Sequence, residues 1–390
     1  SNLQEVLLKL FPPQSPVATP QEKKPVPFNL KELHLENVRF SEIDSVKGSA
    51  LEALVTDGQF YLNDMDLGQP FIDVNSMNIR KPIIRIDKWY GSGTNATEIV
   101  DVEPSIPPSP EEIVPAIVDS LGVDIRIGEL LISGGQFELH NYRKEPVRAL
   151  PENQLDLKHL NLYDIQVEVD SFRLDKETYT GRVNWIAAKD RSGFQLERLS
   201  AKEALVSPRE MTLNGLSIIT PTTIFGVTLR FTYLSFTVCE YFEDRVKMDA
   251  RFHDADVTLQ DIIAFVPKLN KNPFFDSNRD TNLQIEGRVR GKGNNLRGNE
   301  LNITLADGTH LEGSFSSQNL AVPEEEFLIL ELDRFDTRLG TLRQLIPDFN
   351  PPDNFNKLGN LQFSGSFVGF FVDFVANGYL RTDLGDAALD

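Results

Sequence analysis

The sequence predicts a mainly β fold built on antiparallel sheet, and three observations predict it. Apolar and polar residues alternate with period two in many places, which marks strands with one apolar and one wet face. Helical periodicity is confined to a few short stretches, so the long alternating helices of a parallel α/β fold are missing. A helix-then-strands pattern also recurs about 80 residues apart, as in arrays of stacked units that bury their apolar faces together.

In chain order, "LQEVLLKLF" (3–11) reads as a short helix with Leu3, Val6, Leu7 and Leu10 on one side. The proline-rich "PPQSPVATPQEKKPVP" reads as an extended linker, so residues 1–27 form a helix and tether. Strand patterns begin at Phe28. The first strand block, 28–121, closes with a flexible loop (91–110) and a short helix, "PSPEEIVPAIVDSL" (108–121). That helix has a serine before Pro110 and acids in its first turn.

The second strand block, 122–257, holds the clearest alternation. Val183, Trp185 and Ala187 share one face; Val227, Leu229 and Phe231 face away from Thr228 and Arg230. Val246, Met248, Ala250 and Phe252 likewise oppose Lys247, Asp249 and Arg251. A helix-plus-strands unit follows at 258–336, and 337–390 is a second copy cut short at its C-terminal end. Leu259–Pro267 matches Leu339–Pro347, and "NLQIEGRVRG" from Asn282 matches "NLQFSGSFVG" from Asn360. Upstream, Leu30, Leu33, Leu35 and Phe40 are echoed by Ile127, Leu130, Ile132 and Phe137.

The matched strands carry the same notches. Leu283, Ile285 and Val289 align with Leu361, Phe363 and Phe367, while Gly287 and Gly291 align with Gly365 and Gly369. Glycine inside a strand marks a bend, a bulge or a close approach. The four glycines are therefore expected to bend the sheet and leave space on its apolar face.

Acidic residues outnumber basic ones, 58 to 39, for a formal net charge of −19. Such a surface repels nucleic-acid phosphates and anionic headgroups, so no nucleic-acid partner is expected. The one cysteine, Cys239, excludes an intramolecular disulfide and reads as a small apolar filler in "FTVCEYF". No run has the roughly 20 apolar residues of a spanning helix, and the start lacks a signal peptide. The last residues stop within a strand-like pattern, as expected of an excised fragment.

Chemistry-bearing motifs are absent. The five histidines fall at no metal-ligand spacing. "GKGNN" (291–295) lacks the Lys-Ser/Thr ending of a phosphate loop and reads as a hairpin turn. "NDMDLG" (63–68) has Asn75 where a calcium loop from Asp64 needs glutamate, and reads as a turn. There is no GxSxG motif. No catalytic residue, metal or cofactor is expected, and the chain reads as a non-enzyme.

The strand "L-x-F-x-G-x-F-x-G" at Leu361–Gly369, Asp373–Phe374 and "G-x-L-x-T-x-L-G" at Gly378–Gly385 resemble the C-terminal part of bacterial AsmA/TamB-like envelope proteins. The run "I-x-I-x-x-L-x-I-x-x-G-x-F" at 125–137 resembles that family's strand repeats. The resemblance implies an elongated, curved antiparallel sheet folded like a taco around an open apolar groove. It also implies a periplasmic location in a diderm bacterium and an inner-membrane anchor outside this chain. Phospholipid would be conducted between inner and outer membranes. The alternative it carries is assembly or translocation of outer-membrane barrel proteins with an Omp85-type partner.

Periodicity by itself fits the closed core of a sandwich or barrel better than an open sheet; the resemblance reverses that preference, and a structural β-rod with a closed interior is a further alternative. The residues expected to line a lipid groove are Val227, Leu229, Phe231, Val246, Met248, Phe252, Leu283, Ile285, Val289, Leu361, Phe363 and Phe367. A charge among them, such as Phe363→Asp, is expected to stop lipid carriage with the sheet still folded.

Overall fold

The computed structural model describes residues 30–66, 71–92, 124–143, 155–156, 158–235, 245–265, 267–293, 295–319, 325–346, 349–370 and 373–389. The helices expected at 3–11 and 108–121, and Cys239, lie outside them. Most of the described chain is strand, largely antiparallel. Its contacts divide it into two compact units.

The first unit contains β1 (Glu32–Asp44), β2 (Ser49–Asp66), β3 (Phe71–Arg80), β4 (Ile83–Lys88), β5 (Asp124–Asn141), β6 (Asn161–Asp175) and β7 (Thr178–Asp190). β1 and β2 form a hairpin whose turn is held by Asp44, its carboxylate accepting from the Val46 and Lys47 amides at 2.9 Å each. Residues 63–66 of "NDMDLG" continue β2 and are not a turn.

β3 and β4 are one strand interrupted at Lys81–Pro82, both pairing with β2. Lys81 has a φ of +50° and Pro82 has no amide to donate. Lys81 N donates to Ser133 O and Gln136 N to Pro82 O, which carries the ladder past the break. β5 then runs parallel to β3 and β4, a departure from the antiparallel expectation. The chain between Lys88 and Asp124 is long enough for the crossover that a parallel pair requires. Alternation reports faces but not strand direction, so the sequence carried no signal for it.

β6 and β7 return antiparallel, and here the expected face is corrected. Val183 faces Val169 and Ile186 faces Val167, whereas Trp185 lies opposite Glu168 and is 41 % exposed. A register shift between Glu168 and Val169 breaks strict alternation and turns the indole to the wet side.

The second unit contains β9 (Glu210–Ile219), β10 (Ile224–Thr232), β11 (Lys247–Thr258), β12 (Asn282–Lys292), β13 (Asn295–Leu305), β14 (His310–Gln318), β15 (Phe327–Arg338), β16 (Asn360–Gly369), β17 (Phe374–Thr382) and β18 (Gly385–Leu389). Each pairs antiparallel with the next. Strand β8 (Gln195–Val206) has residues in both units. The contact-based division therefore falls inside the second sequence block, 122–257. Around "GKGNN", Lys292 of β12 faces Asn295 of β13, as a hairpin there requires.

Short helical knobs follow two strands of the second unit. After β11 comes α1 (Leu259–Phe265), a 3-10 turn (Pro267–Lys271) and α2 (Pro273–Ser277); after β15 comes α3 (Leu339–Leu345) and a 3-10 turn (Asp353–Leu358). Ile263 and Leu269 of the first knob are buried, with Ile262 and Phe275 packed on them. Both knobs are tied to a hairpin turn of the neighbouring strands. Asp261 in α1 accepts from Thr220 Oγ1 (2.5 Å) and Thr222 Oγ1 (3.0 Å) in the β9–β10 turn. In the second copy Thr341 of α3 donates to Asp307 in the β13–β14 turn. The tether is repeated with carboxylate and hydroxyl exchanged between helix and turn. Asn278 joins the knobs, its amide donating to Leu345 O at 2.8 Å.

Candidate functional site

Cross-strand register assembles one apolar face in the second unit. A single row runs from β9 to β17: Leu213, Leu229, Ala250, Val289, Gly298, Phe315, Leu330, Phe367 and Ala376. A second row from β11 to β17 links Ala255, Ile285, Ile303, Leu311, Phe335, Phe363 and Leu380. Every member of both rows is apolar.

The register places eleven of the twelve candidate lining residues on this face. Val246 immediately precedes β11, where it packs against Tyr233, with Met211 and Phe231 beside it. Val227, Val246, Leu361 and Phe363 are buried; the other eight are half-buried. The inner positions of two interdigitated sheets are fully covered. Here the largest side chains with under 2 % exposure are Ile263, Val246 and Asn272. Only Val246 among them belongs to the candidate set. Burial is deepest under the first helical knob and at scattered mid-strand positions such as Val227, Ala250 and Leu332, while most of the large side chains of the face are half-buried.

Phenylalanine rings continue along this face. Phe363 and Phe367 lie with centroids 4.8 Å apart, and Phe367 and Phe374 at 5.4 Å. Phe374 is 48 % exposed, so the ring series passes from a buried to an exposed ring.

The four notch glycines have φ of +127° (Gly287), +147° (Gly291), +151° (Gly365) and +148° (Gly369). A Cβ on Gly365 would run into the carbonyl of Asn377 on the next strand, and one on Gly287 into that of Glu300. Each glycine thus permits a backbone twist and a close strand approach that no other residue allows. Register shifts accompany them, between Glu286 and Arg288, between Glu312 and Gly313, and opposite Gly365 between Leu332 and Phe335. Further shifts lie at Phe252/Ala255 and Gly298/Leu301, so every pairing from β11 to β16 carries one. Bulges bend strands and increase their twist.

The opposite face is charged. Arg288 of β12 is bonded twice to Asp249 of β11, Nε to Oδ1 at 2.8 Å and Nη2 to Oδ2 at 2.6 Å. That hydrogen bonding, with the positive charges of Arg288, Arg290 and Lys247, holds the Asp249 carboxyl below the usual carboxylate range against the opposing effect of burial. Arg230 donates from both Nε (3.0 Å) and Nη2 (2.6 Å) to a single oxygen, Oε2, of Glu210.

Four histidines lie beside carboxylates: His34 with Asp57, His140 with Asp87, His159 with Asp156 and His310 with Glu312. Among the described residues no group of three or more His, Cys, Asp or Glu is placed to hold a metal ion.

The sequence reading missed the contributions of β9, β13, β14, β15 and β17 to the apolar rows. A signal existed in β14, where Leu311, Gly313 and Phe315 repeat the notched pattern of β16. In β15 the run "FLIL" is apolar on both faces and hides the alternation.

Among the described residues no helix is long and apolar enough to cross a membrane. No protein-family model matches the chain, and no curated protein or solved structure matches it either.

Proposed function

We propose that the apolar face of β9–β17 holds phospholipid acyl chains and conducts them along the sheet, without chemistry. The observation that carries this reading is the nine-strand apolar row, in which Leu229, Val289, Phe315, Leu330 and Phe367 stay half-buried while Ala250 and Gly298 are buried. Burial of each acyl methylene on such a face is worth about 0.8 kcal/mol, and a row crossing many strands offers continuous contact to a sliding chain. The bulged glycine band supports a sheet curved into an open, taco-like groove. With the AsmA/TamB-like resemblance, the reading is a periplasmic lipid conduit between the inner and outer membranes of a diderm envelope, anchored in the inner membrane by chain outside this sequence. Phospholipid bound to the purified protein, and its loss on placing a charge at a half-buried lining position, tests it.

A second reading is assembly of outer-membrane barrel proteins with an Omp85-type partner. The third, a closed structural rod, is disfavoured by the eight half-buried lining residues.

A further inference from the structure

The chain carries net charge −19, yet the outer face of β10–β13 is a grid of cations. Lys247 lies directly opposite Lys292, Arg251 opposite Arg288, and Arg290 opposite both Asp249 and Arg297. Like charges facing each other across a strand pair are destabilising. Three such pairs stand side by side on the wet side of the sheet, backing the apolar row. Asp249 is engaged by Arg288, and Glu210 of β9 by Arg230; Glu286 and Glu300 are exposed beside Arg288, and the cations of β10–β13 still outnumber these acids. Lys247, Arg251, Lys292 and Arg297 form no ion pair with any described residue. All four are exposed.

We infer that this face is a docking surface for a bilayer rich in anionic phospholipid. Neighbouring strands lie about 4.8 Å apart, so cross-strand register gathers these cations into one cluster that several phosphoryl headgroups can meet together. Arginine contributes a planar fork of donors that matches phosphate oxygens two at a time. Each basic residue near an anionic membrane surface adds attraction, and an opposing anion relieves the like-charge pairs. The uniform repulsion of anionic headgroups expected from net charge is thus reversed locally. This inference is independent of what the apolar face carries.

Co-sedimentation of the full chain with vesicles tests it, using phosphatidylcholine alone and phosphatidylcholine with about one third phosphatidylglycerol. The chain is expected to bind the anionic vesicles at least about tenfold more tightly, with binding weakened by salt. The triple variant Lys247→Glu, Lys292→Glu, Arg297→Glu should lose about tenfold or more of that affinity with an unchanged circular dichroism spectrum. If it fails to fold, Lys292→Gln with Arg297→Gln, which adds no charge, should show a smaller loss in the same direction. Equal binding to both vesicles, undiminished binding of a folded variant, or binding of soluble poly-glutamate without binding of vesicles would overturn the inference. Phospholipid co-purifying with the outer-face variants reports on the conduit separately, so the two readings fail independently.

Discussion

Gly365 of β16 and Gly378 of β17 lie directly opposite each other, with φ of +151° and +154°. A Cβ on either would strike the other strand, at Asn377 O for Gly365 and at Ser364 O for Gly378. The notch in "NLQFSGSFVG" is therefore a backbone requirement shared by neighbouring strands, and not only a gap between phenylalanines.

Gly365→Ala is expected to destabilise the second unit by about 1–3 kcal/mol, the scale of a residue forced into a sparsely populated backbone region. Gly340→Ala in α3 is the control, because nothing lies within 4 Å of the added methyl. Helix propensity predicts a small gain there, about 0.5–1 kcal/mol. Urea unfolding midpoints should move in opposite directions.

A charge on the lining face has position-dependent consequences. Phe363 is 6 % exposed, so Phe363→Asp buries a carboxylate without a partner and should unfold the sheet locally. This corrects the expectation that the sheet tolerates it. Phe367, half-buried in the central row, is the better probe. Phe367→Asp should retain the β circular dichroism spectrum while losing bound lipid; Phe363→Asp should lose both.

The Asp249–Arg288 pair predicts a pH dependence. Because the folded carboxyl titrates below its unfolded value, the pair contributes stability above about pH 3.9. That contribution is lost as pH falls through the lower folded pKa. Asp249→Asn should lower stability at neutral pH and flatten the acid limb of stability against pH, measured by urea unfolding at successive pH values.

The helix tethers should also be separable. Asp261 is buried and accepts from two threonine hydroxyls, so Asp261→Ala strands the buried Thr220 hydroxyl at a cost of about 1–3 kcal/mol. Thr341→Val removes one bond to Asp307, which is exposed and can turn to water, and should cost less. Hydrogen exchange should report the loosening in the β9–β10 turn for the first variant and the β13–β14 turn for the second.

Much of the second unit was legible because its strands have one wet face. Val227–Phe231 and Lys247–Phe252 announce themselves by alternation, and the matched "NLQ" strands fix the repeat. Trp185 was misplaced because a bulge adds a residue without any mark in composition. The parallel pairing of β5 was hidden because alternation is blind to direction. The basic face escaped notice for another reason: Arg251–Arg288 and Arg290–Arg297 are adjacent only through register, and a whole-chain charge of −19 conceals them.

Phospholipid analysis of the purified, folded chain tests the central claim most directly. The account predicts phospholipid bound to the wild-type protein and lost from folded Leu229→Asp and Phe367→Asp variants. Lipid-free wild-type protein, or lipid retained in both folded variants, would contradict it.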